Sequence, residues 1–323
     1  MSSVKIARLT DRGVVRVDGP DSEKLLQSLV TNEIEGLNAG EARFAGLLSP
    51  QGKILFDFFI VRTETGYLLD VAAAKAADLV KRLTMYKLRA DVTITDASPG
   101  FAVYAVWDDG AAALSATRAC LQFNDPRHPA MGLRWLMQSP PPAGAQVVEL
   151  AHIDYDALRV RLGVPEAGKD FEFGDAYPHE ADYDLFNGVS FTKGCYVGQE
   201  IVARMQNKTV VRKRVVKISA AGPLISGAEI HLGDVAIGRV GTVDGLHGLA
   251  MVRLDRAIEA QDKIRVCAPP ARRSTSMPTR SGVIANRRRR GLRQHCHHEP
   301  AGRTRTLSLG GSDGNGVRAL PRR

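Results

Sequence analysis

No stretch of this 323-residue chain approaches the ~20 consecutive apolar residues that a membrane-crossing helix needs. The opening residues, Met1-Ser2-Ser3-Val4-Lys5, have neither a signal-peptide apolar core nor an Arg/Ser-rich transit pattern. Cysteine is scarce. The four present (Cys120, Cys195, Cys267 and Cys296) are scattered with no C-x-x-C, which excludes a disulfide framework and makes a reducing cytoplasm the expected compartment. No G-x-G-x-x-G follows a strand pattern, and no P-loop, no G-x-S-x-G turn and no zincin-type His pair occurs. Nucleotide, serine-hydrolase and metalloprotease chemistry are therefore not signalled. Lysine is absent from Ala268 onward, where 13 arginines stand against Glu299 and Asp313. The preceding residues hold 31 basic and 33 acidic side chains, so the net charge of +9 belongs to the tail alone. The body is nearly neutral, and direct nucleic-acid binding by it is not expected.

The chain is too long for one compact core. Val14-Val15-Arg16-Val17 alternates as a strand, and Asp18-Gly19-Pro20-Asp21 opens a helix carrying Leu25, Leu26 and Leu29. A strand from Phe44 ends at the Ser49-Pro50-Gln51-Gly52-Lys53 turn, and a second apolar strand, Ile54 to Arg62, follows. Asp57 interrupts that strand; it either faces water or is buried with a partner. Tyr67 to Val71 reads as a strand, Ala74 to Tyr86 as an amphipathic helix, and Asp91 to Thr95 and Phe101 to Trp107 as further strands. Ile153 to Leu162 is a helix stopped by Gly163 and Pro165. Arg159 and Arg161, two apart, point to different faces of it, and one of them can look inward. From Asn207 short strands alternate with glycines, as in a small β-barrel. Beyond Val266 periodicity ceases. Residues 268–323 are rich in Arg, Pro, Gly and Ser and are expected to be disordered; their composition fits either a native basic tail or out-of-frame translation of GC-rich DNA. His295-Cys296-His297-His298 lies there without structural-zinc spacing, so no metal site is expected.

Chemistry concentrates in Lys193-Gly194-Cys195-Tyr196-Val197-Gly198-Gln199-Glu200, followed by Ile201-Val202-Ala203-Arg204. Two glycines flank a cysteine, and the apolar positions after it suggest a short helix. A cysteine just before a helix N-terminus and two residues from Lys193 favours the thiolate. The alternative is a small side chain in a structural turn. One such cysteine does not supply a four-cysteine cluster site, so any iron–sulfur cluster would be held transiently, with ligands from another molecule.

This stretch resembles the signature of the YgfZ family of folate-binding iron–sulfur cluster maturation factors, whose mitochondrial branch is known as IBA57 or CAF17. Gly19 to Glu33, Leu48 to Lys53, Tyr86-Lys87-Leu88-Arg89, Arg159 with Arg161, and Pro178-His179-Glu180 resemble the family as well, and the resemblance covers roughly residues 4–267. The family is similar in fold to the glycine cleavage T-protein, an aminomethyltransferase. The resemblance implies an α+β, three-domain arrangement. Residues 1–43 plus 108–206 would form a discontinuous folate-binding domain, 44–107 an inserted α+β domain, 207–267 a C-terminal β-barrel, and 268–323 a disordered basic tail.

The resemblance also implies a cytoplasmic factor that binds tetrahydrofolate and supports assembly or repair of [4Fe–4S] clusters in client enzymes, including those of tRNA modification. Its partners would be iron–sulfur client or carrier proteins. Cys195 would react, with Lys193 lowering its pKa. Gly194, Tyr196, Gly198 and Glu200 would shape the loop, and Arg161, Glu180, Gln199 and Arg204 would bind folate. The T-protein has paired aspartates where this chain has Phe56-Asp57, and it lacks the Cys195 stretch. Both departures point to the thiol as the working group. The alternative is a folate-dependent one-carbon transferase that uses Asp57.

Overall fold

The computed structural model describes residues 4–108, 120–139, 147–208, 210–259, 264–267 and 306–309. Three sheets carry the fold. The first has the order β10-β1-β7-β9-β8, built from β1 (Val4–Arg8), β7 (Ala102–Trp107), β8 (Cys120–Asn124), β9 (Leu133–Met137) and β10 (Val147–Leu150). It is antiparallel except where β1 and β10 run parallel. Helix α3 (His152–Leu162) packs beside it. A hydrogen bond from the Ala151 amide to the Asp154 carboxylate starts that helix, and Gly163 at φ 77° ends it.

The second sheet is antiparallel, in the order β3-β4-β5-β2-β6. Its strands are β2 (Arg12–Asp18), β3 (Ala42–Leu48), β4 (Ile54–Arg62), β5 (Gly66–Ala72) and β6 (Thr93–Asp96). Helices α1 (Ser22–Gln27) and α2 (Ala76–Lys87) cover one face, and α2 buries Ala76, Leu79 and Leu83 against it. The expected insertion at 44–107 differs from these sheet boundaries. β2, early in the chain, pairs with β5 along its whole length, whereas β7 returns to β1. Cross-strand pairing and a shared apolar face, not sequence adjacency, decide which strands belong together.

β4 explains why both faces of this sheet matter. Phe56, Phe58 and Ile60 enter the core beneath α1 and α2. Phe59 and Val61 enter a central core shared with the first sheet, α3 and residues 164–189. Period-two alternation therefore places Phe56 and Asp57 on opposite faces. Each buried aromatic contributes about 2 kcal/mol of transfer free energy, so a register slip of one residue is strongly opposed.

The third sheet is the C-terminal barrel, in the order β15-β12-β13-β14-β11-β16. It comprises β11 (Lys213–Ala220), β12 (Glu229–Leu232), β13 (Val235–Asp244), β14 (His247–Arg253), β15 (Ile264–Cys267) and β16 (Thr306–Leu309). Helix α4 (Gln199–Lys208) leads into it, and α5 (Leu254–Glu259) follows β14. Of residues 268–323, expected to be disordered, the structure describes Thr306–Leu309 alone, as β16, which pairs in parallel with β11. β11 would otherwise be an edge with unpaired backbone groups, which is where an added strand gains hydrogen bonds. The His295 to His298 run lies outside the described residues.

Candidate functional site

The Lys193 stretch folds as a loop, and α4 begins only at Gln199. Cys195 therefore stands four positions before the first residue of the helix, farther from the helix N-terminus than the expected placement just before it. Its thiol is free and exposed. A groove of about 460 Å³ runs between α1 and this loop, with Glu23, Lys24, Gln27 and Glu35 on one wall and Gly194 and Cys195 on the other.

Lys193 is placed differently from the expectation. Its side chain is buried, and Nζ donates to the carbonyl oxygens of Gln27, Val30 and Asn32, each at 2.8 Å. The ammonium thus satisfies backbone acceptors at and just beyond the C-terminal end of α1, and its three N–H groups are committed there rather than to the sulfur. Burial pushes its pKa down to about 8, with Glu33 opposing. The neighbouring Tyr196 is buried, its ring centroid 5.3 Å from Nζ, and burial raises its phenol to about 12.

The far end of the loop rests on the β3–β4 turn. Gly198 has φ 82°, and a Cβ there would lie 2.7 Å from the Ser49 carbonyl oxygen. Gly52, at φ 79°, takes Ile201 at the same close range. Gly194 is not constrained in this way: a Cβ on it meets nothing within 4 Å.

The four residues expected to hold folate are not brought together. Arg161 is exposed at the end of α3, lining a separate groove against Lys217 and His247 of the barrel. Glu180 caps its own turn by accepting from the Tyr177 amide at 2.9 Å. Gln199 reaches back to the Gly194 carbonyl at 3.4 Å. Arg204 forms an exposed ion pair with Glu200 at 3.0 Å, the i,i+4 arrangement of a solvated helix face.

A second chemical centre lies inside the molecule, on the other face of β4. Asp57 is 3% exposed; its Oδ2 accepts weakly from the Ala167 amide at 3.4 Å, and its Oδ1 has no hydrogen-bond partner among the described residues. Burial pushes this carboxyl upward, Arg12 opposes, and Glu166 adds to the rise. The strand partner of Asp57 is Gly46, and a Cβ on Gly46 would sit 3.3 Å from the Tyr183 hydroxyl. Tyr183 thus overlies the Asp57 side of the sheet, and its hydroxyl is buried with no hydrogen-bond partner among the described residues. Burial first, and then Asp57, pushes that phenol well above its ordinary value.

Buried ions surround this pair. Arg12 meets Asp70 at 2.7 Å and Glu166 at 3.8 Å. Arg127 meets Asp125 at 2.8 Å, and both Arg127 and Arg134 donate to the Tyr155 hydroxyl. Arg159, fully buried, binds Asp170 at 2.8 Å, Asp156 at 2.8 Å and Glu166 at 3.2 Å. Burial opposes ionisation of Glu166, but Arg159, Lys169 and Arg12 outweigh it and hold the carboxyl well below its usual range. The inward arginine of α3 is therefore Arg159, not Arg161. The signal was present: Arg159 stands four residues after the buried Tyr155, on the apolar helix face. Tyr183 carried no such signal, because its segment is irregular and its partners are distant in sequence. Among the described residues no three His, Cys, Asp or Glu side chains are grouped as metal ligands.

Residues 1–136 match the family model for the GCVT N-terminal domain, and residues 212–273 match that of the CAF17 C-terminal beta-barrel domain. The chain is 14% identical to the glycine cleavage system aminomethyltransferase T of Bartonella henselae, with a TM-score of 0.64 over 82% of each chain, which establishes the shared fold. It is 36% identical over 238 residues to the human iron–sulfur cluster assembly factor IBA57, mitochondrial, covering 67% of each chain. It is 34% identical to the mouse protein of that name, covering 76% of each, and 35% identical to the Mycosarcoma maydis homolog, covering 68% of this chain and 58% of that protein. The chain spans 58% and 61% of the length of the Mycosarcoma maydis and Neurospora crassa relatives. All of these relatives are named as mitochondrial, which overturns the cytoplasmic expectation: a short, unremarkable opening sequence does not report the compartment. With identity above 30% over three quarters of the mouse protein, and the two domain matches at either end, the chain belongs to the IBA57 family.

Proposed function

We propose that this protein supports the assembly or repair of iron–sulfur clusters in client enzymes, with Cys195 as its working group. The observation that carries the reading is the placement of Cys195: a free, exposed thiol on a loop pinned at Lys193 and Gly198, opening onto a groove. An exposed thiol on a fixed loop can ligate iron transiently or exchange with a thiol adduct, and it needs a second molecule to complete any ligand set. Clusters are cargo here, passed between carrier and client proteins, with [4Fe–4S] enzymes of tRNA modification among the clients. Cys195→Ala is expected to fold normally and to fail to restore cluster-enzyme activity in a deletion strain. Full complementation by that variant overturns the reading.

Tetrahydrofolate is the ligand that the T-protein likeness suggests. Asp57 and Tyr183 fit it better than the residues first expected, because each offers a buried polar atom without a partner, and such atoms are costly unless a ligand or water meets them. Bound folate would supply one-carbon chemistry; Asp57 would hold or release a proton at Oδ1, and Tyr183 would orient the polar ring. Loss of reduced-folate binding in Asp57→Asn supports this, and unchanged binding removes it. A one-carbon transferase that uses Asp57 is the second reading, favoured by the upward shift of that buried carboxyl. It requires turnover with a one-carbon donor that survives Cys195→Ala and is lost in Asp57→Asn.

A further inference from the structure

We infer that Lys193 is a positioning residue: its ammonium fastens the Cys195 loop to the end of α1 and so builds the groove through which Cys195 is approached. The inference rests on the reading of Cys195 as the working thiol.

The geometry is specific. Three backbone carbonyls converge on one Nζ at 2.8 Å each, and they come from Gln27, Val30 and Asn32, more than 160 residues away in sequence. The carbonyls of Lys24, Leu25 and Leu26 are met locally by Ser28, Leu29 and Val30, whereas those of Gln27 at the end of α1 and of Val30 and Asn32 just beyond it are met by the buried lysine through charge-assisted hydrogen bonds. The same helix supplies Glu23, Lys24 and Gln27 to the groove, while Gly194 and Cys195, the next two residues after Lys193, form the opposite wall. Both walls therefore meet at the ammonium. The anchoring end of α1 is itself braced: Gln27 Nε2 donates to Glu33, and Gln27 Oε1 accepts from the Ile34 amide at 3.1 Å.

The groove has a charge character that can be read. Glu23 and Glu35 stand against Lys24, which leaves one net negative charge beside the sulfur. Glu23 also accepts from the Tyr67 hydroxyl at 2.8 Å, which fixes its place on the wall. A cationic thiol reagent should gain on an anionic one at Cys195 when the walls are in place, and lose that advantage when they part. Surface charge effects of this kind amount to about fivefold in rate.

The test uses two disulfide probes, cystamine and 5,5′-dithiobis(2-nitrobenzoate), with labelling at Cys195 followed by peptide mass. The rate ratio of the cationic to the anionic probe is first normalised to free cysteine. Lys193→Ala is expected to lower this ratio by about fivefold. Propylammonium, which replaces the atoms removed, is expected to restore the ratio, while propanol does not. A folded Lys193→Ala protein with an unchanged ratio overturns the inference.

Should that variant fail to fold, Lys193→Met provides the second measurement, because it keeps a buried unbranched stem and removes only the ammonium that meets the three carbonyls. The probe ratio is expected to fall as in Lys193→Ala, and a folded Lys193→Met protein with the parent's ratio overturns the inference. These readouts do not involve cluster assembly. If Cys195→Ala complements fully while Lys193→Ala still changes the probe ratio, the proposed function falls and the positioning role stands.

Discussion

Gly198 and Gly52 meet across the site: a Cβ on Gly198 would lie 3.1 Å from the Gly52 Cα, and both residues adopt positive φ. The cysteine loop and the β3–β4 turn are therefore fitted backbone to backbone, with no room for a side chain between them.

Gly198→Ala should cost about 2–4 kcal/mol of stability, combining left-handed strain with overlap on the Ser49 carbonyl. Gly40 is the internal control. It has φ 85° but nothing within 4 Å of an added Cβ, so Gly40→Ala should cost only about 1 kcal/mol. Urea denaturation of the two variants measures the difference, and equal losses would show that the close approach has no energetic weight.

The two arginines of α3 should separate cleanly. Arg159→Met leaves Asp170 and Glu166 buried without their main counter-charge and should cost about 3–5 kcal/mol. Arg161→Met, on the exposed side, should change stability by less than about 0.5 kcal/mol. Denaturant midpoints at fixed m-value check both.

Stability should respond to pH with two opposite signs. Glu166 and Asp125 have carboxyls held below their unfolded value, so their contribution is present above about pH 4 and is lost as pH falls through the folded value. Asp57 is raised, so its contribution is present below about pH 4 and is lost as pH rises through its folded value. Asp57→Asn should therefore gain stability relative to the parent as pH rises from about 4 to 8. A difference that stays constant over this range contradicts the assignment.

Cysteine reactivity should be graded. Cys195 is exposed, whereas Cys120 is half-buried and burial pushes its thiol to about 11. Iodoacetamide on the native protein near pH 8 should label Cys195 well before Cys120, and denaturation should remove the difference. Peptide mapping by mass spectrometry reads the order.

Much of the architecture followed from local pattern. Alternation placed β2, apolar runs placed β4 and β5, amphipathic spacing placed α2, the Gly163 and Pro165 stop bounded α3, and glycine punctuation marked the barrel, because burial and turn geometry impose these patterns locally. The eight residues from Lys193 to Glu200 were also legible as a chemical focus from composition alone. Their roles were not. Lys193 stands two positions from Cys195 in the chain, yet its ammonium binds carbonyls more than 160 residues away, and no local rule states where a long flexible side chain ends. Asp57 could be recognised as an anomaly in an apolar strand, but Tyr183 could not be paired with it, since Gly46 and the β3–β4 register bring them to one face. Sequence by itself determined the element types, the tail's charge and the motif. The tertiary structure decided which arginine turns inward, which strands share a sheet and what Lys193 holds, because those outcomes depend on desolvation and on partners distant in the chain.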